Sequence, residues 1–389
     1  MIVVKNKKNC CGCSACEQSC PVQAIQMTRD KIGFEYPVID QTTCINCGLC
    51  EKTCPIINEQ NSRIPNHVYA VKNKNTETRL ASSSGGVFSI LAQEILENKG
   101  IVYGAAFDDN WNVHHTRIDS TEKLHLLQGS KYVQSKIGII YKQVKTDLIN
   151  GKKVLFSGTP CQIAALQNFL KKKYTNLITV DVACHGVPNP RIWEDFLNEQ
   201  AHSRSEIKNI SFRDKSTGWN TFSFLINISN KQHSQKAWEH VYMLLFLHNF
   251  ILRPSCHKCH FRNGKSGADF TISDYWAIER NYPNFADDKG VSALITYNQE
   301  IPPSVVHKSE YIETKYDDLC FGNPVLKESH PKNKDAWLFY LLHDKVGFSL
   351  NRALKFGLIL MNTRLFVQKK IGIFYHIVRK LLSYVKWQK

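Results

Sequence analysis

CCGCSACEQSCP, from Cys10 to Pro21, recurs as CINCGLCEKTCP, from Cys44 to Pro55, 34 residues further along. Both copies follow C-x2-C-x2-C-x3-C-P, so the first 57 residues are one unit written twice. Such an internal repeat predicts two similar halves packed about one axis. A [4Fe-4S] cube needs four thiolates converging on one small object, and three come readily from a loop with cysteines at every third position. The fourth comes from elsewhere, so in a two-cluster arrangement the last cysteine of each run serves the other cluster. That assigns Cys10, Cys13, Cys16 and Cys54 to one cube and Cys44, Cys47, Cys50 and Cys20 to the second. Zinc is the rival reading, but zinc sites use pairs of two-cysteine arms rather than triplets. Cys11 fits neither set and reads as an inert neighbour.

The N-terminal unit thus has the pattern of a bacterial two-cluster ferredoxin. Polar, turn-rich residues from Asn58 to Pro65 read as a linker that makes the unit separable. Beyond it, HVYAVK from His67 reads as a strand, FSILAQEILENKG from Phe88 as an amphipathic helix, and IVYGAAF from Ile101 as a second strand, in βαβ-like order. KKVLFSG from Lys152 and LITVDVAC from Leu177 are near-continuous apolar strands separated by the helix-like CQIAALQNFLKKK. The expected architecture is a ferredoxin-like α+β domain at residues 1–60, a larger α/β region in two parts, 67–150 and 151–325, and a helical, basic tail at 331–389.

The chain holds 14 cysteines and starts without the apolar stretch of a secretory signal. Cytoplasmic thiols stay reduced, so the expectation is metal or redox chemistry in the cytoplasm rather than disulfides. The formal charge of +16 treats every cysteine as neutral. Three thiolate-bound cubes at about −2 each would leave roughly +10, which suits acidic partners such as an anionic cofactor or a negatively charged redox protein. No aromatic-basic motif accompanies the charge, so nucleic acid is not expected. The tail from Leu350 to Trp387 has basic residues at helix-compatible spacing. It could cover the protein's own core, dock on a partner protein, or lie peripherally on an anionic membrane surface.

Four further cysteines stand apart from the repeat: Cys161, Cys184, and the pair Cys256 and Cys259. Two fall at the C-terminal ends of predicted strands, where α/β sheets place their ligands, and two in a loop. Taken alone, the pair could be half a zinc site and the others buried apolar residues.

Five segments, SSSGG at Ser82 to Gly86, GSKYVQS at Gly129 to Ser135, GTPCQ at Gly158 to Gln162, CHGVP at Cys184 to Pro188, and CHKCHFRNGKSGADFTISDYW at Cys256 to Trp276, occur in one order. In them the chain resembles the beta subunits of coenzyme F420-reducing hydrogenases and dehydrogenases. The resemblance implies an FAD on the α/β domain, a third [4Fe-4S] cluster on Cys161, Cys184, Cys256 and Cys259, and redox exchange with deazaflavin coenzyme F420 or another two-electron carrier. Ser273 and Ala277 stand where that family more often has glycine.

Physical chemistry supplies candidate contacts for the cofactor. Ser83, Ser84, Gly85 and Gly86 precede a helix, whose N-terminus can cradle a phosphate. Ser130, Lys131, Arg262 and Lys265 could bind or neutralise a pyrophosphate, and Asp274 could hydrogen-bond the flavin or orient a cluster ligand. An electron-transfer protein serving a partner reductase or a polysaccharide-modifying pathway, without a substrate of its own, is the alternative function.

Overall fold

The computed structural model describes residues 1–297 and 299–366. Its N-terminal unit repeats in three dimensions. Gly12 and Asn46 occupy matching left-handed positions, as do Ser14 and Gly48 two residues later. These bends launch two five-residue helices, Ala15–Ser19 and Leu49–Thr53, which end at Cys20 and Cys54 with cap N–H bonds to the carbonyls of Glu17 and Glu51. Strands β1 (Ile25–Arg29) and β2 (Glu35–Ile39) pair as an antiparallel hairpin. Ile2, Cys16, Ile25 and Cys50 form the small core of this unit.

The main body is an eight-stranded mixed sheet. Its strands are β3 (His67–Asn73), β4 (Ile101–Phe107), β5 (Val113–Ile118), β6 (Val154–Gly158) and β7 (Leu177–Val182), followed after an excursion by three more. The excursion is a three-stranded antiparallel sheet of β8 (Ile207–Asp214), β9 (Ser223–Ile228) and β10 (Lys231–Lys236). Strands β11 (Phe270–Asp274), β12 (Ser292–Thr296) and β13 (Ser309–Thr314) complete the large sheet in the order β13-β3-β12-β11-β7-β6-β4-β5. The expected βαβ order holds for β6 and β7, which are parallel neighbours joined by helix Pro160–Leu170, and for β3 and β4, which run the same way with helix Val87–Glu97 between them but are not neighbours in the sheet. Antiparallel strands β12 and β13 flank β3 instead, a long-range pairing that local periodicity does not encode.

Continuous apolar runs follow from burial on both faces. Ile101 and Tyr103 of β4, with Val154 and Phe156 of β6, meet helices Ile140–Ile149 and Pro160–Leu170. Val102 and Leu155 point the other way, onto helix Val87–Glu97. A separate aromatic core joins Trp193, Phe212, Phe224, Tyr242 and Phe339 around the smaller sheet. Leu350 and Leu354, at the start of the helical segment 350–366, are buried in that core, and Arg364 is paired with Asp335 at 2.7 Å. This first part of the tail covers the protein's own core; residues 367–389, with much of its basic charge, lie outside the described residues. Among the described residues no helix is long and apolar enough to cross a membrane.

The segment read as a linker is anchored along its length. The Gln60 amide donates to Gln167 Oε1 at 2.6 Å, Glu59 meets His260, and the Arg63 guanidinium bonds the carbonyls of Gly264 and Ala268 while stacking over Tyr297.

Candidate functional site

Strands β4, β6, β7 and β11 are parallel, so their C-terminal ends share one edge of the sheet. The second cysteine block assembles there. Cys161 stands in the first turn of the helix that follows β6, with the Thr159 hydroxyl 3.2 Å from its sulfur. Cys184 follows β7, and Cys256 lies in the 3-10 turn Pro254–Lys258, which ends at Cys259. The Cys184 thiol is raised by burial first and then by Cys256, with Cys161 and Cys259 also acting on it through space. Burial pushes the Cys256 thiol up to about 12, although the Val187 N–H donates to its sulfur at 3.4 Å. Four half-buried sulfurs facing one another ionise readily only with a compensating cation. Arg262 closes the site, donating to the Cys184 and Val325 carbonyls, and its Nε has no partner among the described residues.

In the N-terminal unit Cys16 is pushed up to about 12 by burial, then by Cys10 and Cys54, and Cys13 faces Cys16 and Cys54. Cys20, Cys44, Cys47 and Cys50 line one small cavity with Met1, Ile25 and Ile39, and the Ala24 N–H donates to Cys20 Sγ at 3.2 Å. The structure thus brings together each of the three groups of four that the sequence suggested. Among the described residues, no three His, Cys, Asp or Glu side chains converge tightly enough for a single metal ion. The four thiolates of a four-iron cube converge less tightly, because they surround a body larger than one ion.

Cys11 is placed where spacing alone gave it no role. Its buried thiol packs between Cys13 and Cys161, in a small apolar cluster that also holds Ala164, Phe261 and Cys259. The first N-terminal group and the strand-end group are therefore adjacent.

The serine loop sits on the same sheet edge. Ser84 donates to the Val291 carbonyl at 2.8 Å, and Gly85 lies so close to Val71 and Ser292 that a Cβ would strike their backbone. Gly86, left-handed at φ 85, opens helix Val87–Glu97. The Ser130 N–H donates to Ser83 Oγ at 2.6 Å, and Lys131 bonds the Gln128 and Gly129 carbonyls beside them. Burial lowers the Lys131 amine to about 7. Ser83, Ser84, Gly85, Gly86, Ser130 and Lys131 thus lie in one cluster.

Asp274, at the end of β11, is already engaged. It receives Arg213 in a two-pronged pair at 2.9 and 3.1 Å and the Trp219 indole N–H at 2.9 Å. Arg213 also donates to the Ser83 carbonyl, and Lys215 to that of Ser84. Sequence reasoning missed both; the signal was the charged FRDK run closing β8. Arg262 and Lys265 keep other company, since Arg262 serves the cysteine group and Lys265 lies 3.6 Å from Glu59.

Residues 129–135 join the two regions. Ser130 meets the serine loop, while the Gln134 amide donates to the Cys11 carbonyl at 3.1 Å and the Ser135 carbonyl accepts from Gln162. Four residue steps span at most about 14 Å. A cavity of about 270 Å³ opens beside this segment, lined in part by Gly12, Ser14, Arg29, Gln134 and Trp193.

Residues 151–317 match the family model that describes the C terminus of the coenzyme F420 hydrogenase/dehydrogenase beta subunit, and residues 9–56 match that of a 4Fe-4S dicluster domain. Among solved structures, a chain of the F420-reducing [NiFe] hydrogenase complex from Methanosarcina barkeri aligns at 14% identity and a TM-score of 0.44, covering 69% of this chain and 87% of its own length. No curated protein gives a significant match.

Proposed function

We propose that this electron-transfer iron-sulfur protein, which joins a 4Fe-4S dicluster domain to a region like the C-terminal part of coenzyme F420 hydrogenase/dehydrogenase beta subunits, is a flavoprotein that exchanges electrons with a two-electron hydride carrier, deazaflavin coenzyme F420 or similar. The observation that carries this reading is the adjacency of its parts: the serine loop is tied through residues 129–135 to Cys11, and Cys11 lies between the first and third cysteine groups.

FAD, when bound, would link two-electron hydride chemistry to the one-electron clusters. Ser83, Ser130 and the helix after Gly86 would hold its phosphates, with Lys131 supplying charge. Cys161, Cys184, Cys256 and Cys259 would hold the cluster nearest the flavin. Cys10, Cys13, Cys16 and Cys54 would hold the next, and Cys20, Cys44, Cys47 and Cys50 the outermost, closest to a redox partner.

Anaerobic purification with iron, sulfide and flavin quantified per chain tests the composition. The reading expects about twelve irons and one FAD, with reduction by a deazaflavin hydride donor. About eight irons without flavin, and reduction by a partner protein alone, would replace it with an electron-transfer protein that has no substrate of its own.

A further inference from the structure

Arg253 has a fully buried side chain although it carries a permanent charge. Its Nε donates to the Cys10 carbonyl at 2.9 Å, Nη1 to Gln134 Oε1 at 3.0 Å, and Nη2 to the Glu35 carbonyl at 2.7 Å, with Cys10 Sγ 3.9 Å from Nη2. None of these partners is a carboxylate. The rings of Tyr36 and Phe34 lie 4.5 and 5.3 Å from the guanidinium carbon. An ion so far from water calls for a counter-ion, and the protein groups around it are neutral acceptors and cysteine sulfurs, Cys10 in contact and Cys161 and Cys256 within reach of its charge.

The surrounding chain is shaped to admit this cation. Gly12, inside the Cys10 to Cys13 loop, has φ +69, and a Cβ there would fall 2.6 Å from Nη1 and 2.7 Å from the guanidinium carbon. On the other side, the Arg253 N–H donates to the Val187 carbonyl, and its own carbonyl accepts from the Cys256 N–H at 2.9 Å. One residue thus reaches the first cysteine loop with its side chain and holds the third group's loop with its backbone.

We propose that Arg253 is the buried countercharge of the cluster on Cys10, Cys13, Cys16 and Cys54, and that it raises that cluster's reduction potential. The proposal rests on the ligand set assigned above. The cluster gains one electron and no proton, passing from about −2 to about −3 with its thiolates. A fixed positive charge at the sulfur of Cys10 stabilises the more negative form, while Arg253 stays protonated throughout. The third cluster receives no side-chain hydrogen bond from Arg253, although Cys161 and Cys256 also lie within its field.

The test is a potentiometric titration of the full, anaerobically loaded chain, followed by electron paramagnetic resonance. The signal that Cys13→Ala abolishes identifies the cluster in question. Arg253→Gln should favour its oxidised form about tenfold, a fall of about 59 mV for a one-electron couple, and Arg253→Lys should recover most of that shift. Gly12→Ala, which displaces the guanidinium without removing it, should move the same potential in the same direction. Loss of about four irons in Arg253→Gln with recovery in Arg253→Lys would also support a countercharge. Unchanged potential at full loading in Arg253→Gln, or equal iron loss in the Gln and Lys variants, would overturn it. A wild-type chain with fewer than about eight irons would instead defeat the underlying ligand assignment.

Discussion

The thiol of Cys11 packs against that of Cys161, 150 residues away in the chain, and against Cys13 on its other side. The N-terminal unit therefore meets the α/β body at the point where two of the proposed clusters come nearest each other. Both groups of four are complete without Cys11. Cys11→Ala should keep about twelve irons and lose about 1 kcal/mol of stability through the cavity left behind. Iron quantification and chemical denaturation check both; a fall to about eight irons would make Cys11 a ligand.

Ala277 has a left-handed backbone, φ 58, at a position where the family resembled by the sequence more often has glycine. A Cβ in that conformation costs about 1–2 kcal/mol, part of which returns through the greater freedom glycine has when unfolded. Ala277→Gly should therefore raise stability by about 0.5–1 kcal/mol, read as a higher midpoint of thermal unfolding. An unchanged or lower midpoint would contradict the strain.

Asp274 is the partner of the buried Arg213. Asp274→Asn removes the charge and leaves the guanidinium unpaired, which should cost about 3–5 kcal/mol in a denaturation experiment. If the variant keeps its stability and loses flavin, Asp274 acts on the flavin directly rather than by positioning Arg213.

Burial holds the Lys131 amine near 7, well below its ordinary value. The folded state resists protonation, so its penalty on stability is complete below about pH 7 and fades as pH rises toward the ordinary lysine range. Phosphate binding has the opposite sign, because the charged amine attracts the anion. FAD affinity should fall as pH rises above about 7, and Lys131→Met should weaken binding about tenfold or more and flatten that dependence. Equilibrium dialysis of the flavin at several pH values would show it. Equal affinity and slope in the variant would remove Lys131 from the site.

Local spacing made much of this legible. Eight cysteines at repeat spacing announce their own grouping, because the loop that carries three ligands is contiguous. Cys161 and Cys184 were readable as strand-end residues because each follows an apolar run. What was not legible depends on contacts across the chain. Arg253 looks like any loop arginine until Gly12 and Cys10 are brought against it. Arg213 acquires meaning through Asp274, 61 residues later. Asn58 to Pro65 are polar enough to read as free linker, yet Arg63 and Glu59 fasten them to residues 260–268. The placement of β3 between β12 and β13 was hidden for the same reason.

In the proposed chain of electron carriers, Cys161, Cys184, Cys256 and Cys259 hold the cluster that connects the flavin region to the N-terminal unit. Iron analysis of Cys256→Ala, combined with electron paramagnetic resonance of the reduced protein, tests it most directly. The account expects iron to fall from about twelve to about eight atoms per chain, the two N-terminal signals to remain, and their reduction through the flavin to stop. Full iron content with undiminished flavin-to-cluster transfer would contradict it.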